Sequence, residues 1–154
     1  MDLYNLDRFL YAQHGVYADV LAEIRSGRKR SHWMWFIFPQ LDGLAFSSTS
    51  KFYAIKSLEE AAAYLSHAEL GPRLHECTYA VLNQKDRSAS QMFGHPDDLK
   101  LKSCMTLFAC ASGQGAVFEN VLAEFYLGQR DEKTLQLLAA LTPIETNQVN
   151  ELTK

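Results

Sequence analysis

Residues 97–108 read DDLKLKSCMTLF, and this stretch decides the class of fold. Its apolar side chains recur at three- and four-residue spacing and therefore share one helix face: Leu101, Cys104, Met105 and Phe108. The preceding His95-Pro96 and the acidic pair Asp97-Asp98 suit the positively charged beginning of a helix. The stretch predicts an amphipathic helix with a polar edge.

Similar periodicity extends over most of the chain. Residues 6–26 predict a long amphipathic helix that ends at Gly27, and Ser57 with Glu60 predicts a capping box that opens another. Further helices are expected over 72–83, 117–127 and 131–141, with a second capping box at Ser88 and Gln91. Convincing strand alternation is absent, so we predict an all-α fold of six or seven helices with one aromatic-rich irregular segment at 28–50.

Composition sets the domain organisation. The chain has 154 residues, 47% of them hydrophobic, which favours one globular domain and excludes disorder for most of the chain. We expect a single helical domain over residues 1–142 and a frayed tail over 143–154. The longest wholly apolar run is only Trp33–Phe38, and the N-terminus is acidic rather than basic. These features predict a cytoplasmic protein that has no membrane partner.

Charge and cysteine content narrow the function classes. The net charge is −3 and is spread evenly, so a duplex nucleic acid is not an expected partner. The three cysteines, at positions 77, 104 and 110, have no metal-binding spacing. We interpret them as small core residues and expect neither a metal nor a cofactor. The oligomeric state is not specified by any of these features.

The strongest functional signal is GRKRSHWMWFIFPQ, residues 27–40. Cations such as Arg28 and Lys29 bind phosphate or carboxylate, and Trp33 or Trp35 offers a flat face for a base or sugar ring. The combination favours the mouth of a pocket that binds an anionic small molecule or nucleotide. The alternative is structural: the aromatic residues form core, and the basic run is a solvated turn.

Three further positions carry polar groups that such a pocket would use. Gln13 lies within an apolar stripe, so its amide needs partners either in the core or in a ligand site, and Gln40 ends the aromatic segment. Along the 97–108 helix, Asp98 and Lys102 lie at i and i+4 and place a carboxylate and an amine on one edge. The alternative for that pair is an ordinary surface salt bridge.

The segment Gly27-Arg28-Lys29, followed by His32-Trp33-Met34-Trp35-Phe36-Ile37-Phe38-Pro39-Gln40, resembles a bacterial domain-of-unknown-function family whose members are sometimes labelled calpastatin. Residues 60–65, 70–74 and 100–108 also fit that family. The resemblance implies an all-α fold and no established activity. The calpastatin label does not suit this chain, because such inhibitors are disordered and repetitive. Ala12-Gln13 and Lys102 with Met105 are similar to the NADAR family, which acts on ADP-ribose-linked compounds.

Two functions follow as hypotheses. The first is a hydrolase of ADP-ribose-like or other nucleotide-derived molecules, which would cleave an N-glycosidic or ADP-ribose linkage. Its substrate would be bound by Gln13, Arg28, Lys29, Trp33, Trp35 and Gln40. His32, Asp98 and Lys102 would transfer protons or stabilise charge. The alternative is a non-enzymatic module that binds a nucleotide or a protein partner through the aromatic segment.

Overall fold

Ten helices form the part of the chain that the structure, a computed structural model, describes: residues 1–113 and 116–141. They are α1 (Asp7–Gln13), α2 (Tyr17–Arg25), α3 (Met34–Ile37), α4 (Ser48–Tyr53), α5 (Leu58–Ser66), α6 (Leu70–Leu82), α7 (Ala89–Phe93), α8 (Asp97–Ser112), α9 (Val117–Tyr126) and α10 (Glu132–Ala140). These residues contain no strand, which confirms the all-α prediction; Leu41 and Ile55 form an isolated bridge. The expected tail at 143–154 lies outside the described residues.

Helix α8 is the centre of the fold. It packs against α5, α7, α9 and α10, and its residues from Ser103 to Ala109 are all buried. The sequence predicted a single apolar face, but a helix surrounded by neighbours needs small or apolar side chains on every side. Thr106 fits there because its hydroxyl donates to the Lys102 carbonyl (2.8 Å) and accepts from the Asp131 amide (2.9 Å).

The expected six or seven helices are too few, for two local reasons. The predicted long helix over residues 6–26 is broken between α1 and α2, where Gly15 adopts a φ of +77°. This break lets α1 pack on α3 while α2 packs on α6. In addition, the segment expected to be irregular contains two short helices, α3 and α4, on either side of Pro39.

The predicted helix beginnings are largely correct. Ser88 and Gln91 form a complete capping box, and Asp131 caps α10 by accepting from the Thr134 amide (3.0 Å). Ser57 caps α5, but the Glu60 side chain does not complete the box. Its carboxylate instead pairs with Arg8 at 2.7 Å in the interior, a stronger interaction than a return bond to the cap.

Two of the three cysteines are core residues, as the sequence predicted. Cys77 and Cys104 are buried, and burial raises the pKa of the Cys77 thiol to about 12. Cys110 is only half-buried and accepts a weak hydrogen bond from Arg130 (3.7 Å). All three thiols are free. Within residues 1–113 and 116–141, none of the helices has the length and apolar character needed to span a bilayer.

Candidate functional site

Five side chains from the basic–aromatic segment and α8 form one connected group, here termed the aromatic–lysine cluster: Lys29, Trp33, Trp35, Asp97 and Lys100. Asp97 lies between the two lysines, with Lys29 Nζ 3.0 Å from one carboxylate oxygen and Lys100 Nζ 3.1 Å from the other. Lys29 Nζ lies 5.0 Å from the ring centroid of Trp33, and Lys100 Nζ lies 4.0 Å from that of Trp35. Each ammonium therefore contacts a carboxylate and an aromatic ring at once.

The electrostatics of this cluster centre on Asp97. Partial burial on its own would raise the pKa of Asp97, but hydrogen bonds from Lys29 and Lys100 outweigh that effect and lower the pKa below its ordinary value. The carboxylate is consequently ionised at neutral pH. One negative charge faces two ammonium groups, so the cluster keeps a net positive charge.

Glu23, near the end of α2, fixes the loop that carries Lys29 and Trp33. Its Oε1 accepts from the backbone amides of Arg30 (2.6 Å) and Ser31 (2.9 Å) and from the Trp33 indole Nε1 (3.0 Å). Its Oε2 accepts from the Ser31 hydroxyl (2.7 Å). Although partial burial opposes ionisation, these donors lower the pKa of Glu23 to about 2. The loop is held in one conformation by an internal carboxylate.

The two tryptophans occupy different environments. Trp33 is only 2% exposed, and its ring packs against Phe38 and Phe93. Trp35 is half-buried, and Lys100 covers one part of its ring. Trp33 is therefore a core residue, as the structural alternative for the aromatic segment predicted. Trp35 keeps the accessible surface that a ligand would need.

Beside Trp35 lies a small cavity that also involves Gln40. Its volume is about 10 Å³, close to the space that one water molecule needs, and its polar lining includes Ser50 and Tyr53. Gln40 is 8% exposed, and its Nε2 has no hydrogen-bond partner among the described residues. A buried amide donor without a partner costs about 1–3 kcal/mol, so this nitrogen is prepared to bind an acceptor.

Two other predicted binding residues, Gln13 and Arg28, and the predicted catalytic residue His32 lie outside this arrangement. Gln13 is buried in the core, where its Nε2 donates to the Phe36 carbonyl (2.8 Å) and its Oε1 accepts from Arg73 (3.2 Å). Of the two alternatives that the sequence left open for the Gln13 amide, the structure therefore shows the one with partners in the core. Arg28 and His32 are exposed, and neither side chain has an ion pair or hydrogen bond within the described part of the chain.

The remaining predicted catalytic residues have separate partners. Asp98 Oδ1 lies 3.2 Å from His95 Nδ1, and Lys102 Nζ lies 6.0 Å from the ring centroid of Tyr126. The ion pairs of residues 1–113 and 116–141 do not include one between Asp98 and Lys102. No hydrogen bond or ion pair in those residues joins His32 to either of them.

Sequence reasoning did not assign Glu23, Asp97 or Lys100 to the site. The Asp97–Lys100 spacing of i,i+3 was a usable local signal, equivalent to the i,i+4 spacing that drew attention to Lys102. Lys100 and Lys102 lie roughly 200° apart around the helix axis and therefore face different neighbours. Glu23 carried no signal, because a carboxylate near the end of a helix is ordinarily solvated.

Comparison with known proteins supports the family but not a function. The crystal structure of the conserved hypothetical protein Rv1873 from Mycobacterium tuberculosis is similar, with a TM-score of 0.87 and 55% sequence identity; the alignment covers 88% of this chain and 97% of that one. No curated protein matches the sequence. The similarity to NADAR gains no support from these comparisons. The first resemblance is confirmed, because the family described as "Protein of unknown function (DUF1810)" matches residues 3–138. The chain belongs to this DUF1810 family.

Proposed function

We propose that the protein is a non-enzymatic module that binds an anionic small molecule carrying a flat ring, of the nucleotide class. The observation that carries this proposal is the pairing of a half-buried Trp35 with Gln40, whose Nε2 has no hydrogen-bond partner in residues 1–113 and 116–141, in the adjoining cavity. An aromatic face and a buried amide donor are the groups that orient a ring and one of its acceptor atoms.

The preference for an anion comes from Lys100. Its ammonium shares Asp97 with Lys29, and Lys29 is the better covered of the two, with a side chain only 8% exposed. Lys100 is therefore the group whose charge remains available next to Trp35. Because it already lies against the Trp35 ring, a phosphate attached to a stacked ring would meet it without a large movement of the chain.

A binding role suits the geometry better than hydrolysis does. Among the described residues, no hydrogen bond or ion pair joins the side chains of His32, Asp98 and Lys102: His32 is exposed, Asp98 pairs with His95, and Lys102 lies over the Tyr126 ring. General acid–base catalysis needs groups within hydrogen-bond reach of the same reacting atoms. Hydrolysis of an ADP-ribose-like substrate stays a prediction that the experiment below also addresses.

Thermal unfolding with a ligand series tests the proposal. We expect ADP-ribose or ADP to raise the melting temperature more than adenosine does, since only the anions use Lys100. Trp35→Ala and Gln40→Leu should each remove the ligand-dependent rise. Lys102→Ala is the matched control, because it removes a half-buried lysine of the same helix that faces Tyr126.

Two results would contradict binding at this position. One is a ligand-dependent rise that survives in both Trp35→Ala and Gln40→Leu, and the other is the absence of a rise with every nucleotide. The same mixtures, followed by chromatography, test turnover. Time-dependent cleavage that disappears in His32→Ala, Asp98→Asn or Lys102→Ala would favour the hydrolase instead.

A further inference from the structure

A larger cavity lies between the N-terminal turn, α4 and the first turn of α5, and it shares no lining residue with the Gln40 cavity. Its volume is about 500 Å³, and its walls include Tyr4, Lys51, Phe52 and Lys56. Small-molecule sites typically measure about 300–1,000 Å³, so this cavity has the appropriate size. The sequence analysis assigned none of its lining residues to a binding site.

The base of this cavity is held rigidly by Arg8, which is only 8% exposed. Its Nε donates to the Phe52 carbonyl (2.8 Å), Nη1 donates to the carbonyls of Tyr4 (2.7 Å) and Asn5 (2.8 Å), and Nη2 donates to the Ala54 carbonyl (2.9 Å). Nη2 also pairs with Glu60 at 2.7 Å. All five donors of the guanidinium are used, so Arg8 joins the three wall segments rather than offering a hydrogen bond to a ligand.

The cationic groups available to a ligand are Lys51 and Lys56. Both are exposed, and neither has an ion pair or side-chain hydrogen bond within residues 1–113 and 116–141. Glu60, the carboxylate that lines the cavity, is already paired with Arg8. The cavity therefore has an excess of two positive charges. Between the two lysines in sequence, Phe52 keeps 55% of its surface exposed as an apolar wall.

We propose that this cavity binds a phosphate monoester whose organic group is aromatic or apolar. The phosphate dianion matches the two unpaired ammonium groups, which act as point charges and need no fixed fork geometry. The organic group would lie on Phe52 and Tyr4, whose positions are set by the bonds of Arg8 to their carbonyls. This site shares no lining residue with the one proposed at Trp35, although Phe52 packs on Tyr53, which lines the Gln40 cavity.

Two-dimensional ¹H–¹⁵N NMR with phenyl phosphate as the probe tests this inference. We expect saturable shifts of the backbone amides of the lining residues Lys51, Phe52, Lys56 and Ser57. Lys51→Ala/Lys56→Ala should weaken the affinity by about tenfold or more. The control, Lys85→Ala/Lys133→Ala, removes two other exposed lysines and should leave the affinity unchanged. Phenol and inorganic phosphate should both bind more weakly, because each lacks one half of the ligand.

The proposal is overturned if these four amides show no saturable shift, or if the two double variants bind phenyl phosphate equally. Phenol binding as tightly as phenyl phosphate would also overturn it, since the lysines would then contribute nothing. The Trp35 indole signal reports separately on the other site. A shift of that signal alone would leave the proposed function standing and refute this second site.

Discussion

The Arg8–Glu60 pair and the Lys29–Asp97–Lys100 group are both cation–carboxylate contacts, but their surroundings differ. Arg8 and Glu60 are about 6% and 4% exposed in their side chains, and backbone carbonyls satisfy the remaining guanidinium donors. In the second group, Lys100 is 23% exposed and its remaining contact is the face of Trp35. The Arg8–Glu60 pair, whose hydrogen-bonding groups are used within the protein, stabilises the fold. The second group keeps an accessible ammonium at Lys100, which can bind a ligand.

The largest expected loss of stability follows from breaking the Arg8–Glu60 pair. Arg8→Ala should lower the free energy of unfolding by about 4 kcal/mol, because it leaves the Glu60 charge buried and removes the guanidinium donor from the carbonyls of Tyr4, Phe52 and Ala54. Glu60→Gln should cost only about 2 kcal/mol, since Arg8 keeps its four carbonyl partners. Urea denaturation measures both. Equal losses of unfolding free energy in the two variants would show that the Arg8–Glu60 ion pair contributes more to stability than the hydrogen bonds from Arg8 to the carbonyls.

The next effect separates the two tryptophans within the aromatic–lysine cluster. Trp33→Ala should cost about 3–5 kcal/mol, the range for a large buried ring. Trp35→Ala should cost only about 1 kcal/mol, because the ring is half-buried and loses mainly its contact with Lys100. Equally severe losses in urea denaturation would mean that both rings are core and would weaken the proposed function.

Smaller losses of stability are expected when one of the two lysines that pair with Asp97 is replaced. Lys29→Met should destabilise the protein more than Lys100→Met does, because Lys29 is the more buried partner of Asp97 and also donates to the Ser31 carbonyl (2.5 Å). We expect the difference to be about 1 kcal/mol. Thermal unfolding of the two variants at the same pH measures it. The reverse order would show that Lys100 is structural and is not free to serve a ligand.

A further effect is a pH dependence that originates at Glu23. The pKa of this carboxylate falls from an ordinary 4.5 to about 2 on folding, so its contribution to stability is complete above pH 4.5. That contribution declines as the pH falls towards 2. Glu23→Gln should therefore be less stable than the natural protein at pH 6 but nearly equal to it near pH 2. A stability difference between the two proteins that stays constant from pH 2 to pH 6 would show that the Glu23 carboxylate does not stabilise the loop.

The helices and their caps could be predicted from the sequence because their signals are local. Ser88 with Gln91, and Asp131, lie within three or four residues of the amides that they cap. The number of helices was not predictable in the same way: Gly15 breaks a continuous amphipathic pattern, and the pattern does not show that the two halves pack on different partners.

The site was harder to predict, because its contacts are long-range. The basic and aromatic residues were visible as a group, but Lys29 and Asp97 meet across 68 positions, and Arg8 and Glu60 across 52. Lys102 was selected over Lys100 because of its i,i+4 spacing from Asp98 and the similarity of Lys102 and Met105 to the NADAR family. Helix α8 is buried on most sides, so its periodicity does not identify the face that meets Trp35.

The most direct test of the binding site at Trp35 uses the two indole signals of the ¹H–¹⁵N NMR spectrum. The sequence contains two tryptophans. Trp33 Nε1 is bonded to Glu23, whereas Trp35 lines the cavity that contains Gln40. On titration with ADP-ribose, we predict a saturable shift of the Trp35 indole and little change in that of Trp33. A spectrum in which neither indole moves, or in which Trp33 alone moves, would contradict the account.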